Sequence, residues 1–214
     1  MVSRLRKVLL SGVFSLCGFA ATAEPVVIAA LGDSLTQGYG LLPEQGFVAQ
    51  MQRWLDAQGA DVRLINAGVS GDTTAGGAAR VAWTLTPDVD GMIVALGGND
   101  LLRGLDPAMS RGNLTQIMEA AKSSDVAVLL VGMQAPGNFG AEYKAEFDTI
   151  YPDLAGQYQS LFFPSFFEGL SDEPDPAAVR NWMQHDGIHP NPEGIARIVT
   201  AMGPHVIELA QSVR

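Results

Sequence analysis

Two short polar motifs near opposite ends of this chain contain residue types that do nucleophilic chemistry. Gly-Asp-Ser-Leu at 32–35 follows an apolar run, and Asp-Gly-Ile-His occupies 186–189. A serine hydroxyl is a useful nucleophile only when a base removes its proton, and that base needs a carboxylate to orient it. Ser34, His189 and Asp186 could fill these three roles. Taken alone, the first motif is also an ordinary turn or helix cap.

Two motifs between these could stabilise the negative charge that develops when a serine attacks a carbonyl. Asn99 follows the third apolar run, and its side-chain amide could act as an oxyanion donor. Gly71 follows the second run and could bring a backbone N–H close to a ligand. Each has a plain alternative, because an Asn-Asp pair forms turns and Gly71 permits a turn before Asp72 caps the next helix. For Gly71 taken alone, the capping interpretation is the stronger one.

A metal site is the competing interpretation of the C-terminal motif. His185, Asp186 and His189 are of ligand type, and histidines four apart can share one face of a helix. A glycine and a proline in this motif argue against a helix, and no second cluster completes a coordination shell. We therefore expect no metal and no other cofactor. His205, in a helical pattern far from the motifs, is expected to be structural or on the surface.

Five apolar runs bounded by glycine and turn residues indicate buried strands. They are Val26–Leu31, Val62–Ile65, Met92–Leu96, Val126–Val131 and a weaker run near Gln159–Phe163. Helical patterns lie between them, so the sequence predicts an α/β fold with a mainly parallel five-stranded sheet covered on both faces. Ligands bind at the carboxyl ends of such strands, which is where the polar motifs occur.

The helical segments are recognised by their apolar spacing. They cover residues 47–55, 73–84 and 114–121. From Pro192 a further pattern is interrupted by Gly-Pro at 203–204, which predicts one helix, a break and a second short helix. Residues 172–176 predict a surface loop.

The N-terminal residues have the features of a signal peptide. Arg4, Arg6 and Lys7 precede an apolar run that ends in Ala-Thr-Ala at 21–23, a typical cleavage site. The run is too short to span a bilayer, so we expect residues 1–23 to be removed and no stable membrane anchor to remain. The prediction is one domain over residues 24–214, in a periplasmic or secreted protein.

Charge and cysteine content narrow the classes of function. Removal of residues 1–23 would leave 10 basic and 23 acidic side chains. Nucleic acid and anionic membranes are poor partners for so acidic a protein. The one cysteine, Cys17, lies in the predicted signal peptide, which excludes thiolate catalysis and zinc–cysteine sites from the mature chain. We expect a monomer that acts on a small molecule.

Taken in order, the motifs resemble the four conserved blocks of the SGNH (GDSL) hydrolases. The blocks are Gly-Asp-Ser-Leu at 32–35, Gly71, Gly-Asn-Asp at 98–100 and Asp-Gly-Ile-His-Pro at 186–190, with no departure from the family pattern. Longer stretches resemble the bacterial periplasmic branch, known as acyl-CoA thioesterases, lysophospholipases and arylesterases. The G-x-S-x-G motif of the α/β-hydrolases does not occur.

The resemblance implies a flavodoxin-like, three-layer α/β/α fold and a serine hydrolase mechanism. Ser34 is implied as the nucleophile, His189 as the base and Asp186 as the group that orients it. The implied oxyanion hole consists of the N–H groups of Ser34 and Gly71 and the side-chain amide of Asn99. The implied substrate is a small acyl ester or thioester.

The substrate contacts are less well defined by the sequence. Residues 133–151 resemble the family's mobile substrate-binding loop, and the predicted contacts are Leu35, Met133, Phe139 and Tyr143. A surface loop whose aromatic side chains cap the sheet is an equally good interpretation. The four phenylalanines within 162–167 could line an acyl groove, although such runs more often belong to the core.

Two other functions remain open at this point. A carbohydrate O-deacetylase needs the same four blocks, and it would prefer acetyl esters with little gain as the acyl chain lengthens. A non-catalytic binding protein would not need a complete set of nucleophile, base and oxyanion donors. The sequence favours an acyl ester or thioester hydrolase, with a lysophospholipid or another small ester as the expected natural substrate.

Overall fold

The computed structural model describes residues 24–170 and 179–213, and within these residues five strands form one parallel sheet. The strands are β1 (Val26–Gly32), β2 (Val62–Gly68), β3 (Gly91–Ala95), β4 (Ala127–Val131) and β5 (Leu161–Phe163). Their order is β2-β1-β3-β4-β5, the flavodoxin-like order, so the predicted fold class is confirmed. The predicted signal peptide (1–23) and the predicted loop at 172–176 lie outside the described residues.

Helices cover both faces of the sheet. They are α1 (Ser34–Gln37), α2 (Phe47–Ala57), α3 (Thr74–Thr84), α4 (Gly98–Leu102), α5 (Pro107–Ser123), α6 (Ala141–Tyr158) and α7 (Pro192–Ser212). Helices α2 and α7 pack together on one face, and α3, α5 and α6 cover the other. The two central strands β1 and β3 are buried along their whole length, as a parallel sheet between two helical layers requires.

The C-terminal segment is one helix, and the predicted break at 203–204 is wrong. A proline inside a helix costs about 3 kcal/mol or more, yet α7 continues through Pro204. The helix buries an apolar face that includes Ile198 and Val206. Burial of each such side chain contributes about 1.5–3 kcal/mol, so the packed face as a whole outweighs the proline. Gly203 leaves room for the ring of Trp54 to pack against the helix.

The predicted mobile loop at 133–151 is only partly a loop. Residues 133–140 connect β4 to α6 and include a single 3₁₀ turn at Gly137–Phe139, whereas residues 141–151 are helical. Phe147 and Tyr151 of α6 are fully buried. These two aromatic side chains therefore pack against the sheet, as the alternative interpretation expected, but from a helix and not from a surface loop.

Tyr151 ties α6 to the end of β3. Its hydroxyl donates a 2.8 Å hydrogen bond to the carbonyl of Leu96. Burial raises the pKa of Tyr151 well above 10, so the hydroxyl keeps its proton. We expect Tyr151→Phe to lower the free energy of unfolding by about 1–3 kcal/mol, because a buried hydrogen bond would be lost. Chemical denaturation of the variant and the wild-type protein measures this difference.

Tyr158→Phe is the matched control for this substitution. The hydroxyl of Tyr158 makes an exposed contact of 3.4 Å with Glu119. Its removal is expected to change the free energy of unfolding by less than about 0.5 kcal/mol. Equal losses in the two variants would show that the buried bond of Tyr151 is not what stabilises this part of the fold.

Candidate active site

Ser34 is the first residue of α1, and only Asp33 separates it from the end of strand β1. Asp33 caps this helix, because its Oδ1 accepts a 3.0 Å hydrogen bond from the N–H of Leu35. The first N–H groups of a helix have no partner within it, so the N–H of Ser34 can serve a ligand. The Ser34 hydroxyl and a backbone N–H that has no partner within the helix therefore lie at the same point of the sheet edge.

His189 and Asp186 lie in the loop that precedes α7. Oδ1 of Asp186 accepts hydrogen bonds from the N–H groups of Ile188 (2.9 Å) and His189 (3.0 Å), which folds the loop as a turn. Oδ2 of Asp186 lies 2.7 Å from Nδ1 of His189, and Nε2 of His189 lies 2.8 Å from Oγ of Ser34. The structure thus brings the three predicted catalytic residues into one hydrogen-bonded chain.

The charge on Asp186 favours a proton on Nδ1 of the His189 imidazole. Partial burial raises the pKa of Asp186, but the hydrogen bonds from the His189 N–H, the imidazole and the Ile188 N–H outweigh it and lower the pKa to about 2. The carboxylate is therefore charged and accepts from Nδ1, which leaves Nε2 free to take the Ser34 proton. Tyr39 covers one side of the imidazole, with 4.8 Å between the ring centroids.

The three histidines have different surroundings. Both ring nitrogens of His189 are engaged with Ser34 and Asp186, whereas His185 is exposed. His205 packs edge-on against Phe163, with 5.1 Å between the ring centroids. Across residues 24–170 and 179–213, no group of three or more His, Cys, Asp or Glu side chains is placed to hold a metal ion.

Two of the three predicted oxyanion donors, Asn99 and Gly71, follow the two strands that flank β1. Asn99 lies on α4, after β3, and its side-chain amide donates a 3.3 Å hydrogen bond to Oδ2 of Asp33. Gly71 lies in the turn after β2 with a φ of +83°, a left-handed conformation that suits glycine. Arg103, which follows α4, donates a 2.8 Å hydrogen bond to the carbonyl of Gly71. The Gly71 turn is thereby tied to the helix that carries Asn99.

Asp72 does not cap the helix that follows, contrary to the alternative interpretation of the Gly71 motif. Thr73 is the cap of α3, and its side chain accepts from the N–H of Gly76. Asp72 instead pairs with Arg80 across 2.6 Å. The guanidinium of Arg80 also donates to the carbonyls of Ala67 and Gly32, at 2.7 and 2.8 Å. This arginine therefore joins the carboxyl ends of β1 and β2.

The sequence analysis assigned no role to Asp100. This buried residue connects the helices next to the candidate site. Its carboxylate is 1% exposed and accepts hydrogen bonds from the N–H of Thr74 (2.8 Å), the hydroxyl of Thr74 (2.6 Å) and the hydroxyl of Ser110 (2.9 Å). These bonds join the start of α3 to α4 and α5. No local pattern could reveal them, because Thr74 is 26 positions from Asp100.

A cavity of about 570 Å³ with a largely apolar lining opens beside Ser34. Leu35, Met133 and Phe139, three of the four predicted substrate contacts, line it. Tyr143 does not, since its ring packs behind Phe139 and its hydroxyl donates to the carbonyl of Leu105. Such a volume is typical of sites for small molecules.

The four phenylalanines within 162–167 divide between the cavity and the core, and Phe162 packs against the core while partly exposed. Phe167 lines the cavity, whereas Phe163 and Phe166 are buried in the core.

The cavity wall next to Met133 is held by an ion pair on α6. Asp148 accepts from the N–H of Ala135 (2.7 Å), and Lys144 donates to the carbonyl of Ala135 (2.7 Å) and to Asp148 (2.6 Å).

The opposite edge of the sheet has a larger open depression of about 830 Å³, at the amino ends of the strands. Its lining includes Lys122, Asp125 and Ser160, and none of the predicted catalytic residues.

Within the described part of the chain, no helix combines the length and the apolar character needed to cross a bilayer.

Known proteins are similar to this chain in both sequence and fold. The model of the GDSL-like Lipase/Acylhydrolase family matches residues 30–197. The esterase TesA of Pseudomonas aeruginosa is 38% identical over 187 residues, which cover 87% of this chain and 90% of that protein. The chain belongs to the GDSL-like lipase/acylhydrolase family. The resemblance to the GDSL hydrolases that the four motifs indicated is therefore confirmed.

Two further relatives show how far the GDSL resemblance extends. The thioesterase 1/protease 1/lysophospholipase L1 of Escherichia coli K12 is 36% identical, over 80% of this chain and 78% of that protein. The crystal structure of AlinE4, an SGNH-hydrolase family esterase, is 43% identical, with a TM-score of 0.71 over 88% of this chain and 98% of that one. The family match at residues 30–197 includes all four motifs, strands β2 to β5 and the end of β1.

Proposed function

We propose that this GDSL-family protein is a serine esterase that hydrolyses carboxylic ester or thioester bonds of acyl substrates. The observation that carries the proposal is the hydrogen-bonded chain from Ser34 through His189 to Asp186 at an apolar cavity. The relatives are named as an esterase and as a thioesterase, protease and lysophospholipase, and each of these activities hydrolyses an acyl bond.

The proposed reaction proceeds through an acyl-enzyme on Ser34. His189 takes the hydroxyl proton as Oγ attacks the carbonyl carbon, and the carbonyl oxygen becomes negatively charged. The N–H groups of Ser34 and Gly71 and the amide of Asn99 stabilise that charge. His189 then protonates the departing alcohol or thiol. Water, activated by the same imidazole, releases the acid and restores the serine.

The proposed substrates have medium or long acyl chains. Leu35, Met133 and Phe139 give the cavity an apolar lining beside the nucleophile, and an acetyl group would leave most of its volume unused. A lysophospholipid is the natural substrate class that we favour. The enzyme is proposed to act in the periplasm or outside the cell, after removal of residues 1–23.

Hydrolysis of p-nitrophenyl esters from acetyl to palmitoyl tests the proposal. We expect kcat/KM to rise with chain length until the cavity is filled, by up to roughly fourfold per CH₂, because a buried CH₂ contributes about 0.8 kcal/mol. Activity confined to the acetyl ester would favour the carbohydrate O-deacetylase. If the folded protein cleaved none of these esters, the esterase proposal would fail and a binding function would replace it.

A further inference from the structure

Asp33 has no part in the reaction as described, yet its carboxylate lies between the nucleophile helix and Asn99. The residue is 1% exposed. Its Oδ1 accepts the N–H of Leu35 at 3.0 Å, and its Oδ2 accepts the side-chain amide of Asn99 at 3.3 Å. One oxygen therefore caps the helix of Ser34, and the other holds a predicted oxyanion donor.

A carboxylate accepts hydrogen bonds but does not donate them, and this fixes which end of the Asn99 amide faces it. An asparagine amide has two N–H groups on one end and an oxygen on the other. With one N–H bound to Asp33, the second N–H remains for a ligand and the oxygen is turned away. A flipped amide would direct its oxygen at the carboxylate and at the developing oxyanion, and both carry negative charge.

Gly98 makes the approach of Asp33 to α4 possible. A Cβ at position 98 would lie 3.2 Å from Oδ2 of Asp33, closer than ordinary van der Waals contact. The glycine before Asn99 therefore lets the carboxylate approach the helix on which the amide is carried.

We propose that Asp33 is a positioning residue that orients the side-chain amide of Asn99, so that one N–H points at the oxyanion of the transition state. This inference rests on the proposed esterase function. Because the oxyanion forms only after the carbonyl is attacked, Asp33 acts on kcat and not on KM.

The fold itself does not favour a charged Asp33. Burial raises its pKa from 3.8 to about 6, against the opposing effect of the two hydrogen bonds that it accepts. The titratable groups that face it are His189, Asp100 and Tyr151. Because the pKa is raised in the folded state, the contribution of Asp33 to stability is greatest below pH 3.8 and falls as the pH rises to about 6. Ionisation of Asp33 above that pH therefore costs stability in the folded protein.

A double-mutant cycle tests whether Asp33 acts through Asn99. We compare wild type, Asp33→Ser, Asn99→Ala and the double variant on one p-nitrophenyl ester. Serine keeps the helix cap but is too short to reach Asn99. We expect Asn99→Ala to lower kcat by roughly a hundredfold or more, and Asp33→Ser to lower it roughly ten- to a hundredfold with KM within about twofold. In the Asn99→Ala background, Asp33→Ser should change kcat by less than about threefold.

Asp106→Ser is the matched control, because it removes an exposed N-cap carboxylate that accepts the N–H of Ala108 at 2.8 Å. We expect it to leave kcat unchanged. Thermal unfolding at a pH above 6, where Asp33 is charged, provides a second readout. We expect Asp33→Ser to unfold at the same temperature as wild type or at a higher one. If that variant fails to fold, Asp33→Asn is used in the same cycle. Its single acceptor oxygen replaces the two oxygens that bind the Leu35 N–H and the Asn99 amide.

Additive losses in the double variant would overturn the inference, because Asp33 would then act on His189 or on the helix of Ser34. An active wild type with additive losses refutes this inference alone. An inactive wild type refutes the esterase function on which it rests.

Discussion

Replacement of Ser34 by alanine is expected to lower kcat at least roughly 10⁴-fold on any ester that the wild-type protein cleaves. Oγ of Ser34 lies 2.8 Å from Nε2 of His189, so the substitution removes the atom that would carry the acyl group. The cavity and the oxyanion donors would remain, and KM should change little. Release of p-nitrophenol at equal protein concentrations measures the loss. Pre-steady-state kinetics should show a burst with wild type and none with the variant.

Ser124→Ala is the control for this experiment. Ser124 follows α5 at the amino end of the sheet and is exposed. We expect its kcat to stay within about twofold of wild type, as for a surface substitution away from the site. If Ser34→Ala kept a tenth or more of the wild-type kcat, Ser34 could not be the nucleophile.

The sequence was sufficient for the fold class and for the Asp186–His189 pair because both depend on local patterns. Buried strands appear as continuous apolar runs, and the central strands of a parallel sheet show this most clearly. Asp186 and His189 are three positions apart, and Asp186 accepts the N–H groups of the residues that follow it. A single turn therefore builds the pair, and its motif is visible without knowledge of the rest of the chain.

Long-range contacts account for most of what the sequence did not reveal. Asn99 is 66 positions from Asp33, and Tyr151 is 55 positions from Leu96, yet each pair shares a hydrogen bond near the active site. The fold brings such residues together, and no spacing in the sequence records it.

The wrongly predicted break at Pro204 has a different physical reason. Pro152 and Pro204 both lie inside helices, although a local rule ends a helix before proline. The rule weighs one lost hydrogen bond and a steric clash, whereas the folded protein gains the burial of a whole apolar helix face. That burial depends on residues far away in the sequence, such as Trp54 of α2, which packs against α7, and the segment itself does not show it.

Asp186→Asn is expected to lower kcat by roughly 10³- to 10⁴-fold, although it changes only one group and hardly any volume. The N–H groups of Ile188 and His189 both point at Oδ1 of Asp186, so the amide oxygen of an asparagine must take that place. Its NH₂ group then faces Nδ1 of His189 and makes that nitrogen an acceptor. The imidazole proton moves to Nε2, which can no longer take the proton of Ser34.

The pH dependence and a neighbouring histidine distinguish this effect from a loss of folding. The pKa of Asp186 is lowered to about 2, so its contribution to stability is present above pH 3.8 and is lost as the pH falls from 3.8 to about 2. Wild type should keep this carboxylate charged through the whole working range, and no rise in pH should restore Asp186→Asn. His185→Asn, at the exposed neighbour, should retain normal kcat, because no step of the reaction uses that side chain. A kcat for Asp186→Asn within tenfold of wild type would mean that His189 keeps its tautomer without the carboxylate.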